Sequence, residues 1–90
     1  MTEESRETRL KRLKIRSWRR GIREMDLILG GWSDGMLPAL SAAELDLYEA
    51  LLEENDQDLY GWVTGREVAP ERFAALIGRI TAEQADLRAT

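Results

Sequence analysis

Cysteine and histidine are both absent from these 90 residues. Without cysteine there is no disulfide and no thiolate chemistry. Without histidine the chain lacks the commonest metal ligand and the commonest general base. Neither a Ser-His-Asp triad nor a Cys-His pair can be assembled. The missing cysteine suits a reducing compartment. No apolar run approaches the roughly 20 residues that span a bilayer. The first residues lack the apolar stretch of a secretory signal, and Glu3, Glu4 and Glu7 break them up, which also argues against an acid-poor transit peptide. A cytoplasmic protein with no direct membrane insertion is expected.

Ninety residues make one domain, residues 1–90, with 1–7 and 86–90 expected to fray. A chain of this size buries about 60–65% of its unfolded surface, so it cannot hold both a deep substrate cavity and a robust core. It is expected to work with its surface.

The net charge of −4 is unevenly spread. Residues 1–24 hold nine basic and four acidic residues, and residues 25–90 hold four basic and thirteen acidic ones. Seven acids lie between Glu44 and Asp58 with no base among them. One end of the chain is therefore expected to attract anions and the other to repel them, unless these are simply two solvated helix faces.

The apolar pattern is helical throughout, and no segment alternates with the period of a strand. Ser5 or Thr8 can cap a first helix running to about Arg19, with Leu10, Leu13, Ile15 and Trp18 on a broad, imperfect face. A second is expected from about Ile22 to Gly30–Gly31 or slightly beyond, burying Met25, Ile28, Leu29 and Trp32, with Gly35 and Pro38 as stops. Ser41-Ala-Ala-Glu44 reads as a capping box, and Leu40 with Leu45 as a hydrophobic staple. That third helix turns Leu45, Tyr48, Leu51 and Leu52 inward. It leaves Asp46, Glu49 and Glu53 on a wet face, where charge reversal should matter little. Asn55-Asp56 breaks it. A fourth helix is expected from Asp58 to about Val63, before Gly65. Pro70 at a first helical position opens a fifth, with Phe73, Leu76, Ile77, Ile80 and Leu87 on its stripe. The fold class is all-α: a compact bundle of five short helices with short loops and near-antiparallel neighbours.

The segment Trp18-Arg19-Arg20-Gly21-Ile22-Arg23-Glu24-Met25-Asp26 stands apart. On a helical wheel Met25, Ile28, Leu29 and Trp32 take one side, while Arg20, Arg23, Glu24 and Leu27 fall opposite. The charged cluster is therefore expected to be exposed. Gly21 is open to three readings: a backbone angle other residues dislike, close helix packing, or bare backbone for a partner to approach. Glu24 near a helix N-terminus is favoured by the macrodipole by about 0.3–1 kcal/mol. That does not account for three arginines in one turn, Arg19, Arg20 and Arg23. Arginine's planar fork suits carboxylate or phosphate recognition. Glu24 and Asp26 are two residues apart and point to different helix faces, so they are no catalytic dyad and an enzyme is not expected. Trp18, Tyr60 and Trp62 read as core or capping residues.

The pentapeptide Arg20-Gly21-Ile22-Arg23-Glu24 resembles the Arg-Gly-x-x-Glu motif of the succinate dehydrogenase assembly factors of the SdhE type, which are FAD assembly factors. Trp18 before it, Met25-Asp26 after it, and Asp58-Leu59-Tyr60-Gly61-Trp62 are similar to further family segments, so that the likeness covers residues 9 to 80. The resemblance implies a five-helix chaperone of the tricarboxylic acid cycle's flavoenzyme. It would dock on the flavoprotein subunit of succinate dehydrogenase, or of fumarate reductase, and favour covalent attachment of FAD to a client histidine. Arg20, Gly21, Arg23 and Glu24 would form the docking edge, with Arg19 and Asp26 at its rim. No metal and no stably bound cofactor is expected, since FAD belongs to the client. The chain has no histidine or cysteine to carry a flavin and no GxGxxG turn to hold a dinucleotide. A monomer is expected when the chain is free. The rival reading is a small helical nucleic-acid-binding or antitoxin-like regulator, favoured by the basic first segment and opposed by the acidic remainder.

Overall fold

Each helix begins where a short polar side chain can satisfy its first amides, or just after proline, with α2 the exception. In the computed structural model, which describes residues 4–89 with side chains through residue 83, the order is α1 (Arg6–Trp18), α2 (Arg23–Met36), a single 3-10 turn (Leu37–Ala39), α3 (Ala42–Leu52), α4 (Asp56–Thr64) and α5 (Glu71–Ala89). The fold is all-α, as expected. Ser5 caps α1, its hydroxyl accepting from the Thr8 amide at 3.1 Å. The capping box at Ser41 is complete: Ser41 Oγ accepts from the Glu44 amide at 3.2 Å, and Glu44 Oε1 accepts from the Ser41 amide at 2.8 Å. Leu40 and Leu45 are both buried beside it.

Three boundaries differ from the sequence reading. Helix α2 does not stop at Gly30–Gly31, nor at Gly35; it runs to Met36. Gly30 is retained inside the helix because the Trp18 ring lies against it, where any Cβ would collide with the ring. The stop comes at Pro38, which has no amide to continue the ladder. Helix α3 ends at Leu52, before the expected breaker Asn55-Asp56, which starts α4 instead. Asn55 is the cap, its Oδ1 accepting from the Asp58 amide at 2.9 Å, so α4 begins two residues early. Helix α4 then closes on Gly65, whose φ of 81° is the left-handed angle of a helix C-terminus. Pro70 immediately precedes α5, its carbonyl accepting from the Phe73 amide.

The core is formed by Leu13 of α1, Met25, Leu29 and Trp32 of α2, Leu45, Tyr48, Leu51 and Leu52 of α3, Leu59 of α4, and Phe73, Leu76, Ile77 and Ile80 of α5. Leu87 lies outside the described side chains. Trp32 and Tyr48 meet at the centre, ring centroids 5.4 Å apart. The Tyr48 hydroxyl and Ser17 Oγ share a buried hydrogen bond of 2.6 Å, and Ser17 in turn donates to the Leu13 carbonyl. Burial pushes the Tyr48 phenol up to about 12. Ile15 and Trp18, expected on the inner face of α1, are outside it: Ile15 is 53% and Trp18 39% exposed. Ser17 and Leu13 take the inner positions instead.

The charge asymmetry of the sequence is largely consumed within the fold. Arg9 pairs with Asp46 and Glu49, Arg12 with Glu49 and Glu4, and Arg16 with Glu53, at N–O distances of 2.7–3.0 Å. The basic stripe of α1 thus lies along the acidic stripe of α3. The face expected to be uniformly wet is an ion-pair seam in which Glu49 is half-buried. The Arg12 hydrogen bond, and that of Arg9 after it, hold the Glu49 carboxyl below its ordinary value even though burial opposes this.

Candidate functional site

Between α1 and α2 the chain reverses within four residues, 19–22. Arg19 ends α1 with φ −124° and ψ 59°, and Gly21 follows with φ +96°. A Cβ on Gly21 would meet only Asp56 Oδ2, at 3.8 Å, which is ordinary contact. Space does not require glycine here; the backbone angle does. The packing reading of Gly21 falls away.

Arg20, expected on the exposed face, is turned inward instead. Its side chain is 10% exposed, and its Nε donates to Asp56 Oδ1 at 2.8 Å. Its terminal nitrogens donate to the Leu52 carbonyl at 2.6 Å and the Glu54 carbonyl at 2.7 Å. One planar fork thus satisfies carbonyls at the C-terminal end of α3 and a carboxylate at the N-terminal end of α4. The wheel misplaces Arg20 because it assumes that α2 extends backwards through Gly21, whereas the helix starts at Arg23. Asp26 also braces the turn. Its Oδ1 accepts from the Arg20 amide, while its own amide donates to the Ile22 carbonyl at 3.0 Å. Arg20 and Asp26 together hold the turn in shape.

Arg19, Arg23 and Glu24 remain exposed. Among the described residues, Arg19 and Arg23 are the cations that make no side-chain hydrogen bond, ion pair or ring contact. Every other described Arg or Lys has such a partner, from Arg6 on the Pro38 and Leu40 carbonyls to Arg79 on Glu44. Glu24, at the second position of α2, likewise has no side-chain partner. The helix has no side-chain cap, since its cap residue is Ile22.

Beside Glu24 lies a shallow depression of about 480 Å³ lined by Ile22, Glu24, Gln57, Tyr60 and Arg66. The sequence reads Tyr60 as a core or capping residue, and it does pack against the core; Ile22, Gln57 and Arg66 are not singled out for a site. The signal available was the distance of Tyr60 from the inward stripe of α4, where Leu59 is the fully buried residue. Tyr60 is half-buried, and the Arg66 guanidinium sits 6.0 Å from its ring centre. Trp62 packs on Phe73 with centroids 5.9 Å apart, the core role expected of it.

Among the described residues no group of three or more Asp or Glu could hold an ion. The depression beside Glu24 is open and shallow. The chain offers no histidine or cysteine for a covalent flavin.

A family model described as flavinator of succinate dehydrogenase matches residues 11–84. The chain is 46% identical over 63 residues to a protein of Meyerozyma guilliermondii named succinate dehydrogenase assembly factor 2, mitochondrial, covering 70% of this chain and 47% of that one. A Schizosaccharomyces pombe protein of the same name is 37% identical over 70 residues, covering 78% of this chain and 50% of its own length. An Acetobacter pasteurianus protein named FAD assembly factor SdhE is 33% identical over 88 residues, 98% of this chain and 81% of that one. The chain spans half or less of the length of these fungal relatives.

Proposed function

The chain belongs to the family of succinate dehydrogenase flavinators, and from that premise we propose that it binds the flavoprotein subunit of succinate dehydrogenase and promotes covalent attachment of FAD to it. The role is that of an assembly chaperone. The observation that carries the reading is the segregation of charge described above: among the described residues nearly every cation is spent inside the fold, and the unspent ones, Arg19 and Arg23, flank the Arg-Gly-x-x-Glu turn together with Glu24.

The residues divide the work. Arg20 pins the turn to α3 and α4, Asp26 fixes its backbone, and Gly21 supplies the positive φ that reverses the chain. These set the direction in which Arg19, Arg23 and Glu24 point. Arg19 and Arg23 meet client carboxylates, backbone carbonyls or the phosphate region of the client's cofactor, for which a guanidinium fork is suited. Glu24 accepts hydrogen bonds from client donors. The absence of a side chain at Gly21 lets the client backbone approach. FAD, when present, is the client's: it supplies the ring carbon to which the client histidine bonds, while this chain holds the client in the arrangement that favours the bond.

The related fumarate reductase flavoprotein is a second client under the same chemistry. The free chain acts as a cytoplasmic monomer in this reading; no described helix is long and apolar enough to cross a membrane. The nucleic-acid reading loses its main support, because Arg9, Arg12 and Arg16 of the basic helix are neutralised by carboxylates. The experiment is a pull-down of the flavoprotein subunit from cells lacking the native factor, with this chain as bait. Co-purification of the subunit supports the reading, and its failure to bind refutes it.

A further inference from the structure

We propose that the outer face of the α1–α2 hairpin is a second contact surface, which takes a client segment carrying an apolar side chain flanked by carboxylates. The proposal rests on the docking reading above and extends it from the turn along the hairpin.

Among the described residues the exposed large hydrophobics are Ile15 (53%), Trp18 (39%), Leu27 (54%) and Val68, and the first three lie on this hairpin. Single exposed apolar residues are ordinary on a protein surface. These three lie along one side of the hairpin. The Trp18 ring spans the seam, resting on Gly30 of α2, with its Nε1 donating to Asp34 Oδ1 at 3.1 Å. Lys14 reaches the same oxygen at 3.4 Å. Together these contacts set α1 and α2 side by side and antiparallel. Ile15 lies one turn before Trp18, and Leu27 one turn before Gly30, so each stands next to the ring on its own helix. The inner side of the seam is taken by Leu13, Ser17, Leu29 and Ser33, all buried. Ile15 and Leu27 are left on its outer side, flanking the tryptophan.

The charges around this strip select the occupant. Arg19 adjoins Trp18, Arg23 lies one turn before Leu27, and neither has an acid of its own among the described residues. An apolar centre rimmed by unpaired arginines is complementary to an apolar residue between carboxylates. An anionic lipid surface is the weaker fit. An interfacial helix needs a continuous apolar face and many free cations, whereas Arg9, Arg12 and Arg16 of α1 are held by α3.

The test compares the full chain with its Ile15→Ser/Leu27→Ser variant, by calorimetric titration against the purified flavoprotein subunit and by thermal melting. Both positions are more than half exposed, so the melt should be unchanged. The dissociation constant should rise about tenfold or more, as for loss of two anchors within one interface. The milder Ile15→Ala/Leu27→Ala pair covers the case in which the serine variant melts early. Wild-type binding with unchanged affinity in the folded double variant overturns this inference and leaves the docking reading standing. Absence of binding by the wild-type chain overturns both. Sedimentation of the wild-type chain with vesicles of phosphatidylglycerol, lost in the double variant, would assign the strip to lipid and overturn the proposal as well.

Discussion

Arg20 Nε and Asp56 Oδ1 lie 2.8 Å apart, and with side chains 10% and 16% exposed they form the most enclosed ion pair among the described residues. The first residue of the family motif is therefore a brace between three elements. The same guanidinium also holds the Leu52 and Glu54 carbonyls, so its loss strands one carboxylate and two acceptors at once. Removing one partner of this part-buried set forfeits charge-assisted hydrogen bonds, each worth about 1.5–3 kcal/mol.

Arg20→Lys keeps the charge but cannot reproduce a planar three-way fork. With charge-assisted hydrogen bonds each worth about 1.5–3 kcal/mol, it should destabilise the domain by about 2 kcal/mol. At about 4–8 °C per kcal/mol for a domain of this size, a thermal melt should fall by roughly 8–16 °C. An unchanged melting temperature would return Arg20 to the surface role expected from the wheel.

Gly21→Ala tests the turn. The backbone angle of +96° is costly for a residue with a Cβ, by about 1–2 kcal/mol. Because the Cβ finds no close neighbour, the variant should still fold. Chemical denaturation should show a lower midpoint with an unchanged slope, the pattern of a pure stability loss.

Gly30→Ala sets propensity against packing. Alanine is the better helix former by about 1 kcal/mol. The Trp18 ring occupies the place of the new methyl, and forced displacement of a packed side chain costs about 1–3 kcal/mol. Packing should win: the melt should fall slightly, and tryptophan emission should shift as the Trp18 indole leaves Asp34.

The α1–α3 seam predicts an acid limb. Glu49 titrates below its ordinary value of 4.5 in the folded chain because Arg12 and then Arg9 favour its charged form. A depressed folded value means that the stabilisation is present above the unfolded value and is lost as pH falls through the folded one. Stability should therefore drop below about pH 4.5. Glu49→Gln should flatten that part of the profile. Glu49→Lys, which places a cation against Arg9 and Arg12, should destabilise at all pH values, contrary to the tolerance expected of a wet face.

Much of this architecture was legible in the residues. The Ser41–Glu44 box, the Leu40–Leu45 staple and the helix count follow from local chemistry that the tertiary structure leaves alone. The failures have a common cause in long-range contacts. Gly30 resembles a helix end in sequence because nothing local shows that a tryptophan twelve residues earlier lies on it. The basic and acidic runs look like two separate fields because nothing in the spacing reveals that α1 lies along α3. Arg20 looks exposed because its partners, Leu52, Glu54 and Asp56, lie more than thirty residues away. Within the motif, sequence located the turn, and tertiary contacts sorted its residues into those that hold it and those that face outward.

The central claim is that Arg23 and Glu24 face a client while Arg20 and Asp26 hold them in place. Surface substitutions away from such braces change stability by no more than about 0.5 kcal/mol, so Arg23→Ala/Glu24→Ala should fold like the wild-type chain. The direct measurement is in-gel flavin fluorescence of the succinate dehydrogenase flavoprotein subunit in cells lacking the native factor and supplied with either chain. The account predicts bright covalent flavin with the wild-type chain and strongly reduced flavin with the folded double variant. Equal flavin occupancy with both chains would contradict it.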